Sequence, residues 1–115
     1  MLEGPERRAP LTHTSFHILL SLAEGPLHGY AVMQQLADVG LRVGPGTIYG
    51  ALHRMEESGW VECGAAEKSR GPLGQRQRYN LTAVGRRILQ EEAKRVVHAA
   101  EIVRRRAVLT DRGDA

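Results

Sequence analysis

Apolar positions recur along this chain with two different periods, and the changes of period mark its elements. Phe16, Ile18, Leu19, Leu20, Leu22 and Ala23 follow Thr12 and Thr14, either of which can cap a helix, and the run ends at the Glu24-Gly25-Pro26 break. Leu27-His28-Gly29 reads as a short connection. From about Tyr30 to Val39, the inward positions Ala31, Val32, Leu36 and Met33 predict a second helix that Gly40 closes. After Leu41-Arg42-Val43 comes Gly44-Pro45-Gly46, and proline suits a first helical turn because its missing N–H would be unpaired there anyway. Ile48, Leu52 and Met55 then recur at i, i+4 and i+7, the stripe of a third helix facing a core. Beyond Gly59 the period switches to two. Trp60 to Cys63 reads as one strand, with Trp60 covering the core edge, and Gln75 to Leu81 as another, alternating through Gln77, Tyr79 and Leu81. The turn-rich stretch from Gly64 to Gly74 joins them into a β-hairpin with a long tip.

Thr82 is a good N-cap for a last helix over about Ala83 to Val108. Leu89, Ala93, Val96, Ala100, Val103 and Ala107 stand 4, 3, 4, 3 and 4 residues apart, a heptad seam that Ile88, Val97 and Ile102 widen. Such a helix spans ~40 Å at about 1.5 Å per residue, longer than the body of so small a domain. A second copy of the chain is therefore the expected cover, and folding back over its own first helix is the alternative; the two can hold at different turns. The organisation expected is a flexible arm over residues 1–11, a core domain over 12–81, a dimerisation helix over 82–108 and a flexible tail over 109–115.

Length and composition narrow the reading. At 115 residues the chain is one domain with a modest core. Its aromatic residues are Phe16, Tyr30, Tyr49, Trp60 and Tyr79, so aliphatic side chains must build the interior, which favours helix packed on helix. No long apolar run or signal-peptide pattern occurs, so a cytoplasmic location with no membrane partner is expected. Up to residue 60 acids outnumber Lys and Arg; after it the bases lead, 12 to 7. Lys68, Arg70, Arg76 and Arg78 fall in an acid-free span at the hairpin, the usual footprint of phosphate contact, although a merely solvated loop carries the same charge.

The outer face of the third helix carries the most information. On a helical wheel Gly46, Gly50, His53 and Glu57 lie opposite the apolar stripe, with Thr47 and Arg54 to one side and Tyr49 to the other. A face of glycines and small polar groups can lie close against the major groove of DNA. Three helices, a β-hairpin and then a long helix is the order of a winged helix-turn-helix domain, mainly α with a small β-hairpin. In that fold the third helix enters the groove and the wing tracks adjacent phosphates. The expected DNA-contacting residues are Tyr30, Thr47, Tyr49, Gly50, His53, Arg54, Lys68, Arg70, Arg76 and Arg78, with double-stranded DNA and a second copy as partners. Tyr30 and Tyr49 have a second reading, packed at the helix–helix contact with only the hydroxyl outside. Glu56 and Glu57 would repel phosphate, so part of this face must point away from it.

Leu27-His28-Gly29-Tyr30, Gly44-Pro45-Gly46-Thr47-Ile48-Tyr49-Gly50-Ala51-Leu52 and Arg78-Tyr79-Asn80-Leu81-Thr82-Ala83-Val84-Gly85 together resemble the PadR family of bacterial transcriptional regulators. The match covers about residues 15 to 90, with the three segments in the family's order and spacing. The resemblance implies a homodimeric winged-helix repressor whose C-terminal helix makes the dimer. It also implies a small aromatic or drug-like effector, bound near the dimer interface, that releases DNA. No aromatic residue follows Tyr79, so the ring-stacking effector pocket of some small members has no counterpart there.

Other chemistry is weakly supported. His13 and His17 have the i, i+4 spacing that can chelate a metal, but no carboxylate or thiol lies nearby in sequence to complete a shell, and no metal or cofactor is expected. Cys63 stands alone, so no intrachain disulfide is possible, and on a strand it reads as a small buried hydrophobe. The glycine-rich segments lack the Lys-Ser/Thr of a phosphate loop, and no Ser, His and Asp are marked as a triad, so no enzyme is expected. The reading from another class is a dimeric winged-helix module that binds protein or a small molecule rather than DNA.

Overall fold

The computed structural model describes residues 10–64 and 77–109. Thr12 caps α1 (His13–Ser21), its hydroxyl accepting the Ser15 N–H at 3.0 Å, so the first of the two candidate caps is used. Helices α2 (Gly29–Asp38) and α3 (Pro45–Glu57) follow, both closed by glycine in the left-handed region. Gly40 (φ 89) and Gly59 (φ 80) let the next residue turn back, so Leu41 N–H reaches the Leu36 carbonyl and Trp60 N–H the Met55 carbonyl, each at 2.9 Å.

The sheet is larger than the predicted hairpin. Strands β2 (Val61–Cys63) and β3 (Arg78–Leu81) pair antiparallel, with Cys63 opposite Tyr79 and Val61 opposite Leu81. Leu27–His28, read from sequence as a connection, forms β1 on the other edge of β3, with Leu27 opposite Tyr79 and His28 opposite Arg78. Two residues are too few to display a period of two, so only the pairing with β3 reveals this strand.

Ile18, Leu19 and Leu22, Val32 and Leu36, and Ile48 and Leu52 bring three helices into one core, roofed by Val61, Tyr79 and Leu81 and closed by Ile88 and Leu89 of α4 (Ala83–Arg105). Thr82 docks α4. Its N–H reaches the Trp60 carbonyl at 3.0 Å, its hydroxyl is shared between the Gly59 and Trp60 carbonyls, and the same oxygen accepts the Gly85 N–H at 3.0 Å. Gly85 is buried against the same turn. A Cβ there would collide with the Trp60 carbonyl oxygen and stand 2.8 Å from its carbon.

Helix α4 has two regimes. Ile88, Leu89 and Glu92 are buried, and the Glu92 carboxylate accepts the Leu11 N–H at 3.4 Å and an Arg95 N–H at 2.8 Å, fastening the start of the described chain to it. Leu89 and the half-buried Ala93 belong to the chain's own core, so the predicted fold-back holds for these turns. Further along, Val96 is 43% and Val97 58% exposed. The helix also ends sooner than predicted. Arg106 is its C-cap, and Ala107, at φ 57, has left the helical path, which takes it out of the heptad seam.

Replacing Gly85 with alanine should cost about 3 kcal/mol or more, because a backbone carbonyl must move to admit the methyl. Thr82→Ala should cost about 1–2 kcal/mol as a lost cap. Urea midpoints at fixed protein concentration read both, and equal losses would contradict the packing at Gly85.

Candidate nucleic-acid interface

Helix α3 buries Ile48, Ala51, Leu52 and Met55 and has a proline in its first turn, so its opposite face is committed to solvent. Thr47, His53 and Arg54 are exposed on that face, and Gly50 is half-exposed among them. These predicted site residues are thus brought together. Gly44, the N-cap, makes no side-chain cap bond and the first turn carries no acid. With Ile48 N–H bonded to the Gly44 carbonyl, the N–H groups of Gly46 and Thr47 precede the first helical bond and point outward from the positive end of the helix.

The glycines of this face are not required by the fold. A Cβ on Gly44 or Gly46 would meet nothing within 4 Å, and one on Gly50 would make only an ordinary contact, 3.6 Å from an Arg54 guanidinium nitrogen. None of the three is among the positive-φ glycines. Glycine inside a helix costs roughly 0.5–1 kcal/mol relative to alanine, so Gly46 and Gly50 weaken α3 without a packing reason within the described residues.

Charge on the same face is partly compensated. His53 Nε2 stands 3.3 Å from Glu57 Oε2, both well exposed, so the acid that would repel phosphate has a cation partner whenever the imidazole is protonated. Tyr30 is 56% exposed on α2, and its hydroxyl accepts from Gln34 Nε2 at 3.4 Å. The sheet register places Arg78 opposite His28, two residues before Tyr30, so the base of the wing adjoins the start of α2. Lys68, Arg70 and Arg76 lie outside the described residues.

The Tyr49 ring lies at the α2–α3 contact, as in its second reading, with the hydroxyl turned toward α2 as well. The ring packs on Gly29 at the start of α2, with its hydroxyl facing the Tyr30 N–H. Burial raises its phenol above the ordinary value and that N–H draws it back down. Tyr79, which sequence marked only as an inward strand position, lies close by on the middle strand. It is buried, its hydroxyl donates to Gln77 Oε1 at 3.1 Å, and Cys63 Sγ lies 3.9 Å from the same oxygen. Burial first, then Cys63, pushes the Tyr79 phenol far up.

His13 and His17 do meet, ring centroids 4.7 Å apart and edge-on, and burial and His13 together lower the His17 pKa. No group of three or more His, Cys, Asp or Glu that could hold a metal occurs among the described residues. No helix among them is long and apolar enough to cross a membrane.

The profile of the family described as transcriptional regulator PadR-like matches residues 18–91, well over half of the chain. An uncharacterized 37.1 kDa protein in transposon TN4556 of Streptomyces fradiae is 41% identical over 80 residues, which are 66% of this chain but 21% of that protein, so the chain spans about a fifth of that relative's length. The transcriptional regulator Rv3488 of Mycobacterium tuberculosis is 35% identical over 88 residues, covering 76% of this chain and 78% of the relative. Among solved structures, a PadR family transcription regulator from Clostridium difficile superposes with a TM-score of 0.67 over 81% of this chain and 96% of its own, at 22% identity. Bacillus subtilis PadR in complex with operator DNA does so with a TM-score of 0.59 over 71% of this chain and 47% of its own, at 21% identity. At these identities the two structures establish the winged-helix fold.

The folded-state phenol of Tyr79 holds its proton beyond the ordinary value of 10.0, so its stabilising contribution is complete below that pH and is lost as pH rises above it. Native protein should therefore lose stability in alkali, with Tyr79→Phe reducing the loss. Unfolding midpoints at several alkaline pH values test this, and a wild-type slope identical to that of Tyr79→Phe would contradict it.

Proposed function

The chain belongs to the PadR-like family of transcriptional regulators, and on that premise we propose that it binds double-stranded DNA as a homodimer and acts as a repressor. The observation that carries DNA binding is the glycine-lined, acid-free start of α3. It spends helix stability on a surface the fold itself does not need, and it presents free N–H groups there. A phosphate backbone or a base edge is the kind of partner that profits from such close approach. Thr47 and Arg54 would then reach base edges or phosphate, His53 would do so once released from Glu57, and Tyr30, Arg78 and the basic wing residues Lys68, Arg70 and Arg76 would contact phosphate. The operator DNA bound by the Bacillus subtilis relative supports the same reading.

The dimer rests on the second regime of α4. Val96 and Val97 are exposed, and Ala100, Val103 and Arg104 line a shallow groove with Ala107 and Leu109. Apolar positions on an extending helix profit from a second copy, and two half-site contacts joined in this way bind at high effective concentration. With Leu89 buried and Ala107 off the helix, the proposed contact centres on Val96, Ala100 and Val103, with Ala93 at its inner end. Val103→Glu should shift the purified protein from dimer to monomer in sedimentation equilibrium; a wild-type protein that sediments as a monomer at micromolar concentration contradicts the dimer.

The direct test is binding to DNA upstream of the protein's own gene against a scrambled duplex, at two salt concentrations. Specific, steeply salt-dependent binding is expected, and Arg76→Ala should lower the log–log salt slope by about 0.9, the loss of one phosphate contact. Gly50→Ala should raise the stability of the free protein by about 0.5–1 kcal/mol while weakening duplex binding about tenfold, opposite signs that a purely structural glycine would not give. Absence of binding to either duplex would favour the interaction-module reading.

A further inference from the structure

The contact between Tyr49 and the start of α2 has a consequence for recognition. Gly29 is buried, and a Cβ on it would fall within 2.7 Å of Tyr49 Cζ and 2.9 Å of its hydroxyl oxygen. Only glycine lets the phenol ring lie there. The first N–H groups of α2 lack a local acceptor, because the N-cap His28 makes no side-chain cap bond and the first turn carries no acid. The Tyr49 hydroxyl, seated against Gly29, faces the Tyr30 N–H from a different helix and is the acceptor nearest to it. The same side chain is near enough to Tyr79 on β3 to influence its phenol electrostatically, and Tyr79 is paired with Leu27 and Cys63 of the flanking strands. One tyrosine thus joins α3, the N-terminus of α2 and the neighbourhood of the middle strand of the wing.

Val32 and Leu36 of α2 share one core with Ile48 and Leu52 of α3, and such packing sets a crossing angle only to within about 15–20°. The glycine-shaped seat that holds the ring, with the hydroxyl aimed at the Tyr30 amide, narrows that range by being directional. Helix α3 runs eight residues, about 12 Å, beyond Tyr49, so a tilt of about 10° about that point moves its far end by about 2 Å, enough to break a base-edge hydrogen bond.

We propose that the Tyr49–Gly29 joint sets the angle of the recognition helix, so that Tyr49 is a positioning residue for DNA discrimination that acts without touching the duplex. This rests on the DNA-binding reading. The test compares wild type, Tyr49→Phe and Gly29→Ala on a duplex enriched from a random pool by the wild-type protein and on a scrambled duplex, across a salt series. Amide hydrogen exchange at Tyr30 is followed in the free proteins. Tyr49→Phe keeps the ring and removes only the acceptor, so it is the variant that keeps its fold. The expected result is about a tenfold loss of affinity for the enriched duplex, unchanged affinity for the scrambled one, an unchanged salt slope, and faster exchange at Tyr30. A salt slope lowered by about one would overturn the proposal by making the hydroxyl a phosphate ligand. A lowered melting temperature with unchanged discrimination would overturn it by making the contact merely structural. Unchanged exchange at Tyr30 would overturn the joint itself, with or without DNA. A wild-type protein that enriches no duplex would overturn the DNA reading and the positioning role with it, and the Tyr30 exchange then distinguishes that failure from failure of the joint.

Discussion

Ile48, Ala51, Leu52 and Met55 lie on one stripe of α3, and their burial determines what the rest of the helix can present. Burying each large apolar side chain contributes roughly 1.5–3 kcal/mol, so rolling α3 by one position would forfeit several such contributions at once. The outward set is the complement of the inward one: Thr47, Gly50, His53 and Arg54 face solvent because their neighbours cannot. Tyr49 falls between the two sets, on the flank, where its ring meets α2 instead of solvent. The chemistry available to a partner therefore follows from the packing of aliphatic side chains that never touch it.

The sheet transmits this arrangement to the ends of the molecule. Its middle strand, β3, is paired on both edges, and each pairing feeds a helix. β1 runs directly into α2, and β3 runs through Thr82 into α4. Because Thr82 and Gly85 seat α4 on the Trp60 carbonyl, the direction of the long helix is tied to the turn that ends α3. In a homodimer of the proposed kind, the separation of the two recognition helices would be set through this chain of backbone contacts. Small residues at its nodes, Gly29 and Gly85, are there for lack of room, whereas Gly46 and Gly50 stand in open space; the same residue type carries opposite meanings in the two settings.

Much of this was legible in the sequence. The four helices, the two longer strands and the inward stripe of α3 follow from apolar spacing, because a period of 3.6 or 2 is the direct projection of a helix or strand face onto sequence. Thr12 and Thr82 were readable as caps because a hydroxyl three residues before a free amide needs no distant partner. The exposed outer face of α3 was readable for the same reason: a face is defined by the local helix alone.

Other features depended on residues far apart in the chain. β1 exists only because β3 offers an open edge to two residues some fifty positions earlier. Leu89 and Ala107 fit the heptad spacing, yet the first is taken by the chain's own core and the second leaves the helix, since spacing does not register which surface arrives first or where a helix frays. Glu92 is buried because the Leu11 amide joins its i+3 neighbour Arg95 in satisfying it, and no window of sequence contains the contact with Leu11, 81 residues away. Gly29 and Tyr49 stand twenty residues apart and read separately, the first as part of a short connection and the second as a tyrosine for DNA or for a helix–helix contact with no partner named; the fold makes them one contact. Periodicity along the chain determined which elements form and which way each one faces, because those are local properties of the backbone. Which residues meet was decided by tertiary structure, because steric fit and long-range hydrogen bonds come into being only when separate elements share the same space.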